Sequence, residues 1–310
     1  MRGGHAQRVV VAGALSLLFA GCTTAPFSTS DSGDGPDPHL RKLTPIVAGL
    51  QLHLRDDTYR HDRARGADGQ NVFAVALWRL DRLQRSLGTM EEAPSNTGLV
   101  IEFARARALE RLRRYSDARA AYLRVASSGS ILAEPAQEAA GILERFALRS
   151  GGAAVDLTTP QAEIEFLEQR VREWNELAFE YRGTPYAPLA LEEAEAWSTL
   201  RVDRYAHHRG PEAAIEPCER LVETHRASKH YPKHLIRLGD LYAEAAREQV
   251  VRHRARRDPF DAGRYEQHLD RALAAYELAG DERKAETRAE AVSKIEALLA
   301  YHDGVRAYAP

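Results

Sequence analysis

Hydrophobic residues recur along most of the chain at intervals of three and four, the spacing that gathers side chains on one face of an α-helix. The clearest run lies in the middle of the first half. It consists of Leu99, Phe103, Ala106, Leu109 and Leu112. Ala, Leu, Glu and Arg dominate the sequence and extended β-branched runs are absent, which is a helix-forming composition. The pattern predicts an all-α fold.

The segments before this run show the same periodicity, interrupted by one polar stretch. A short helix is predicted from about Leu43 to Leu54, followed by a loop over Thr58 to Gln70. Asn71 is a suitable N-cap for the next helix, which Gly88 would end. Its apolar positions are Phe73, Leu77, Leu80, Leu83 and Leu87.

After Leu112 the sequence predicts a turn at Tyr115 and Ser116 and then a second short helix. The buried positions of that helix are predicted to be Ala118, Ala121, Tyr122 and Val125. This helix–turn–helix resembles a tetratricopeptide repeat, the TPR motif. The resemblance implies that Ala118 is the small residue allowing close helix approach, with Tyr122 and Tyr115 as the flanking aromatics.

Two glycines of the family pattern are replaced in this first repeat. Ala106 stands where the family has a glycine in the first helix, and it is still small enough for close packing. Arg113 stands where the family has a glycine at the turn.

The C-terminal half contains an internal similarity at a shift of 44 residues. The connecting segments EYRGTPYAPLAL and THRASKHYPKHL each end one helix and restart the next near a proline, which a first helical turn tolerates. These phrases resemble the turns of the BamD-type lipoproteins of the β-barrel assembly machinery. The superimposed pairs are Val171 with Ile215, Trp174 with Cys218, Leu177 with Leu221, Pro188 with Pro232, and Leu191 with Leu235.

A further TPR-like signature follows. Its first-helix residues are Leu238, Gly239 and Tyr242, and its second-helix residues are Ala272, Tyr276 and Ala279. An insertion over Gln249 to Tyr265 separates them. The recognisable repeats are 96–128, 186–226 and 231–280, with degenerate pairs over 131–181 and a capping helix from Glu282 to Tyr301. The resemblance implies a right-handed α-solenoid of helical hairpins.

The start of the chain has the features of a lipoprotein signal peptide. Arg2 and Arg8 precede an apolar run of twelve residues, Val9 to Ala20, which is shorter than the roughly 20 residues that span a bilayer. The sequence Leu18-Phe19-Ala20-Gly21-Cys22 resembles a lipobox, with Cys22 as the acylated residue. The alternative is an ordinary secretory peptide in which Cys22 is incidental. A threonine rather than an aspartate after Cys22 favours the outer membrane in that resemblance.

The predicted organisation is therefore a signal peptide over 1–21, a disordered tether over 22–39, N-terminal helices over 40–95 and the repeat array over 96–310. Removing the signal peptide leaves 41 basic against 45 acidic residues. This acidic balance argues against a nucleic-acid partner. With Cys22 acylated, Cys218 has no partner for a disulfide and is predicted to be a small buried apolar residue.

No sequence motif for catalysis, phosphate binding or metal binding is present. We therefore expect no enzyme activity, no metal and no cofactor beyond the covalent lipid. His225, His230 and His234 could share a site, but they are expected to be solvated turn residues. Glu192, Glu193 and Glu195 form one dense acidic cluster, which is expected to be a solvated helix face.

The basic run Arg252, Arg254, Arg256 and Arg257 has two interpretations. Cations at the end of a long helix complement its dipole. Alternatively the run is a docking patch for an anionic partner. The aromatic residues Tyr115, Tyr122, Trp174, Trp197, Tyr242 and Tyr276 are expected to pack between helices.

These features favour a lipid-anchored scaffold or adaptor on the periplasmic side of the outer membrane, binding envelope proteins through a TPR-like groove. One alternative is a component of β-barrel outer-membrane protein assembly, and a role beside polysaccharide export or cell-wall machinery is equally compatible. Others are a glycan-processing or glycan-binding protein and a purely structural spacer. Among these alternatives, a buried acidic residue that faces an opposed partner in a groove would favour a glycan-processing enzyme. The oligomeric state is left open.

Overall fold

The computed structural model describes residues 38–87, 96–151, 159–255, 259–281 and 284–308. Within them the chain forms eleven α-helices and no β-strand, so the all-α prediction is confirmed. The signal peptide, Cys22 and most of the tether lie outside the described residues. The helices are α1 (Pro38–His53), α2 (Val72–Ser86), α3 (Asn96–Arg111), α4 (Tyr115–Ala126), α5 (Ala133–Ser150), α6 (Pro160–Glu180), α7 (Tyr186–Arg209), α8 (Pro211–Thr224), α9 (Tyr231–Arg254), α10 (Ala262–Gly280) and α11 (Ala285–Tyr308).

The chain divides into two compact units. Among the described residues, the first unit comprises 38–57, 63–87, 96–151 and 177–190, and the second comprises 58–62, 159–176, 191–255, 259–281 and 284–308. The five residues Thr58–Asp62 thus belong to the second unit, although both flanking segments belong to the first. Among the described residues, no helix is both long and apolar enough to cross a membrane.

In the first unit, each of the helices α1 to α5 packs on the next, and α1 also contacts α3. Asn71 caps α2 as predicted, because its side-chain oxygen accepts a hydrogen bond from the Phe73 amide at 2.9 Å. Helix α1 begins earlier than the predicted Leu43, so Pro38 and His39 lie in this helix rather than in the tether.

The turn between α3 and α4 does not lie at Tyr115 and Ser116 as predicted. Tyr115 is already the first residue of α4, and the turn lies just before it. Arg113 has a φ of 63°, in the left-handed region. The Arg114 and Arg113 amides donate to the carbonyls of Leu109 and Glu110, both at 3.0 Å. This pair of bonds is the Schellman motif, which ends a helix at a left-handed residue that is usually glycine.

In the second unit, α8, α9, α10 and α11 pack in succession, and α9 also contacts α11. A Cβ built at Gly239 of α9 would come within 2.5 Å of the Tyr276 ring, so only a glycine permits this approach of α9 to α10. The Tyr276 hydroxyl donates to Asp240 at 2.7 Å, which fixes the ring. Helix α11 extends beyond the predicted end at Tyr301, and part of the predicted insertion is a continuation of α9.

Candidate functional site

The turn between α8 and α9 is built by one backbone–backbone hydrogen bond and one bond between a backbone amide and a side chain. The Ser228 amide donates to the His225 carbonyl at 2.9 Å, and the Ser228 hydroxyl oxygen accepts from the His230 amide at 3.0 Å. Thr184 has the same role between α6 and α7, where its amide donates to Tyr181 at 3.0 Å. The two turns are 44 residues apart, so the internal sequence similarity reflects a repeated turn.

Two carboxylates of α7 face this turn and are buried, contrary to the expectation of a solvated acidic face. Glu192 and Glu195 are each 4% exposed. Lys229 Nζ lies 2.9 Å from Glu192, and His234 Nε2 lies 2.7 Å from Glu195. Buried carboxylates are tolerated when they are paired in this way. These pairs with residues outside α7 explain why the two carboxylates are buried and not solvated.

Glu195 remains ionised although it is buried. Burial disfavours its charged form, but hydrogen bonds from His234 and Ser228 outweigh burial and lower the pKa of Glu195. Ser228 and His234 both bind the same oxygen, Oε1, so the serine is not hydrogen-bonded to the histidine as a nucleophile would be to its base. The buried glutamates therefore do face opposed partners, the feature that would favour an enzyme. Here their contacts hold the neighbouring side chains in position.

His225 is also buried, at 1% exposure, and is not the solvated turn residue that was expected. Its Nδ1 lies 2.9 Å from the Tyr59 hydroxyl. Burial disfavours the protonated imidazolium form and lowers the pKa of His225 to about 4. Attraction to the Glu195 carboxylate acts in the opposite direction. Among the described residues, no group of three or more His, Cys, Asp or Glu side chains could hold a metal ion.

The segment Thr58–Asp62, which we call the strap, is bound at this turn. The Lys229 amide donates to the Tyr59 carbonyl at 3.0 Å, and Lys229 Nζ donates to the Thr58 carbonyl. Asp62 forms an ion pair with Lys284 at 3.3 Å. The side chains of Thr58 and Tyr59 are buried. The sequence predicts only a polar loop here, because nothing local indicates that Thr58 contacts a residue 171 positions away.

A second candidate site lies in the first unit, where α1, α2 and the loop before α2 surround a half-open groove of about 430 Å³. Ile46 and Leu50 of α1 are among its apolar lining residues. The charged or polar side chains of the lining are His53, Asp68 and Arg79. Gly49 lines the groove, and a Cβ there would have no atom within 4 Å. The groove therefore has room for apolar groups of a ligand.

The TPR-like signature residues are packing residues in both units. Ala118 and Tyr122 are fully buried, as is Ala106. The signature residues of the second unit are also buried: Leu238, Gly239, Tyr242, Ala272, Tyr276 and Ala279. Cys218 is free and buried, as predicted, and burial raises its pKa to about 12.

The basic run is described only in part. Arg252 and Arg254 are exposed in the last turn of α9, and Arg252 forms an ion pair with Glu248 at 3.2 Å. Arg256 and Arg257 lie outside the described residues. The described arginines fit the interpretation of a solvated helix end complementing the helix dipole.

Comparison of the chain with known proteins adds no relative. No family model matches it, and neither a curated protein nor a solved structure does. A functional conclusion therefore depends on the residues and geometry described above.

Proposed function

We propose that this protein is a lipid-anchored adaptor on the periplasmic side of the outer membrane, acting by binding protein partners and not by catalysis. Cys22 carries the lipid, and the helical hairpins form a right-handed α-solenoid of the TPR type. Anchoring confines the binding surfaces to the membrane, which raises their effective concentration toward partners located there.

The observation that carries this proposal is the groove between α1 and α2. Its lining is mainly apolar with a few polar groups, which suits the apolar side chains of a partner's amphipathic helix. The buried carboxylates, in contrast, are engaged by Lys229, His234 and Ser228, and this engagement supports binding over catalysis.

The anchor is tested by expressing the full chain beside a Cys22→Ala variant and capturing both from detergent-solubilised membranes. We expect the wild-type chain to carry the acyl mass, to fractionate with the outer membrane and to capture a reproducible set of envelope proteins. The variant should be soluble and should lose that set. A wild-type chain that is soluble and carries no acyl mass would overturn the anchor.

The groove is tested separately with Gly49→Phe, which introduces a ring at a groove position whose Cβ meets no atom within 4 Å. Gly141→Phe is a matched control, because Gly141 is also a helical glycine of the first unit with no atom within 4 Å of its Cβ position. We expect Gly49→Phe to abolish partner capture while helix content and membrane fractionation stay unchanged. Equal capture by the two variants would contradict a role for the groove.

A further inference from the structure

The strap is held through its main chain as well as its side chains. Lys229 binds two consecutive carbonyls, those of Thr58 and Tyr59, with its ammonium and its amide. Tyr59 is buried with its hydroxyl on His225, and Asp62 pairs with Lys284. Main-chain hydrogen bonds together with a pocket for one side chain are a general means of peptide recognition. The strap presents these groups in a turn over Thr58, Tyr59 and Arg60.

Lys229, which holds the strap, is itself held by α7. Lys229 is paired with the buried Glu192 of α7. Ser228 and His234 are hydrogen-bonded to Glu195 of the same helix. These contacts with α7 orient Ser228, Lys229 and His234, which favours a turn that is already shaped for a peptide.

The strap does not satisfy all the buried polar atoms at this site. Within the described part of the chain, Oγ1 of Thr58 and Nε2 of His225 are buried without a hydrogen-bond partner. Each such atom weakens the binding of the strap, compared with a ligand that gives the atom a hydrogen-bond partner or that lacks the atom. The resident segment is therefore an imperfect ligand, and a peptide of better-matched chemistry would bind more tightly.

We propose that the α8–α9 turn is a peptide-binding site, occupied in cis by Thr58–Asp62, that takes a short turn-forming segment of a partner protein. The segment carries a tyrosine preceded by a β-branched residue and followed three positions later by an acidic residue. This proposal deepens the proposed adaptor function, on which it rests, by naming the chemistry of one partner segment. Partner binding at this site requires the strap to leave it.

The test uses the full chain in detergent and a fluorescein-labelled peptide of residues 55–65, with binding measured by fluorescence anisotropy. The Tyr59→Ala variant vacates the aromatic position and should bind the peptide at least about tenfold more tightly than the wild-type chain, the effect of one strong hydrogen bond. His61→Ala is the matched control. His61 is an exposed residue of the strap, so its loss should leave the site occupied and the peptide excluded.

Two further changes test the contacts themselves. Adding Lys229→Met to the Tyr59→Ala chain should weaken binding at least about tenfold, because the carbonyl at the Thr58 position loses its ammonium donor. A peptide with alanine at the tyrosine position should bind as weakly. Equal binding of the two peptides, or equal binding to the Tyr59→Ala and wild-type chains, would overturn the proposal.

If Tyr59→Ala does not fold, the wild-type chain provides the answer by nitration of Tyr59, whose side chain is buried in the resident strap. Excess unlabelled peptide should displace the strap and increase the nitration of Tyr59, read by mass spectrometry of the full chain. Unchanged nitration would refute the site. Neither measurement involves the lipid or the α1–α2 groove, so failure here is distinct from failure of the anchored-adaptor proposal, which is decided by membrane capture.

Discussion

The ring of Tyr276 on α10 packs directly on the backbone of Gly239 on α9, with no room for a Cβ between them. The ring cannot easily move, because it is buried and its hydroxyl is bonded to Asp240. Gly239→Ala should therefore destabilise the protein. Overpacking costs about 1–3 kcal/mol, more than the roughly 1 kcal/mol that alanine gains over glycine in a helix. Urea denaturation measures the net loss.

Gly141→Ala is the control for this change. Gly141 also lies inside a helix, but a Cβ there meets no atom within 4 Å. Its replacement should raise the free energy of unfolding by roughly 0.5–1 kcal/mol. The close approach at Gly239 would be refuted if the two alanine variants were equally stable.

Arg113 adopts the left-handed conformation at the end of α3, where the repeat family has glycine. A left-handed residue with a Cβ costs about 1–2 kcal/mol. Arg113→Gly should therefore stabilise the protein by roughly 0.5–1 kcal/mol after the entropy of a glycine in the unfolded chain is subtracted. Arg114→Gly, at a φ of −88°, should instead destabilise it. Thermal unfolding of the two variants should move in opposite directions, and a loss at both positions would contradict the analysis.

Thr58 buries a hydroxyl without a partner among the described residues. Thr58→Val keeps the shape of the side chain and removes the unpaired oxygen, so it should raise the free energy of unfolding by about 1 kcal/mol. In Thr184 the hydroxyl donates to the Tyr181 carbonyl at 2.7 Å, so Thr184→Val should cost about 1 kcal/mol. Chemical denaturation of both variants checks the contrast, which would fail if both were destabilised.

Burial of His225 predicts a pH dependence of stability. Its pKa is about 4 in the folded protein and 6.5 without the protein environment, so the unfolded chain binds the proton first as the pH falls. The free energy of unfolding should therefore decrease between pH 6.5 and pH 4, by roughly 3 kcal/mol in total. The lowered pKa of His230 acts in the same direction. Denaturation curves measured across this range test the slope.

The variant His225→Gln isolates the contribution of this histidine. Its stability should depend less steeply on pH between 4 and 6.5 than that of the wild-type chain, because one proton-binding difference is removed. The same replacement at the exposed His207 is the control and should retain the wild-type slope. An unchanged slope in His225→Gln would show that another group is responsible.

Local patterns were sufficient to predict most helices and their packing residues. The Asn71 cap, the stripe through Ala106 and the close approach at Gly239 depend on neighbours within a few residues or on a repeated motif. The turn at Tyr115 was misplaced, because a left-handed arginine ended α3 where glycine is the usual signal.

The buried polar network could not be predicted from such patterns. Charged residues are rarely buried unless they are paired, and the partners Lys229 and His234 are more than 30 residues from Glu192 and Glu195. The 44-residue shift aligns Glu192 with Ile236, which is a buried position of α9. This alignment is a sequence signal that Glu192 is buried. Nothing in the sequence connects Tyr59 with His225, since no local period spans that distance.

The Tyr59–His225 contact also constrains the order in which the protein folds. Helical repeats generally fold through contacts between neighbours, so that growth can proceed along the chain. This contact instead closes a loop of 166 residues, and loops of that size slow folding. Tyr59 leaves the ribosome early, but its binding site is complete only after the α8–α9 turn has been synthesised. A chain truncated before Pro211 would therefore leave this tyrosine in water.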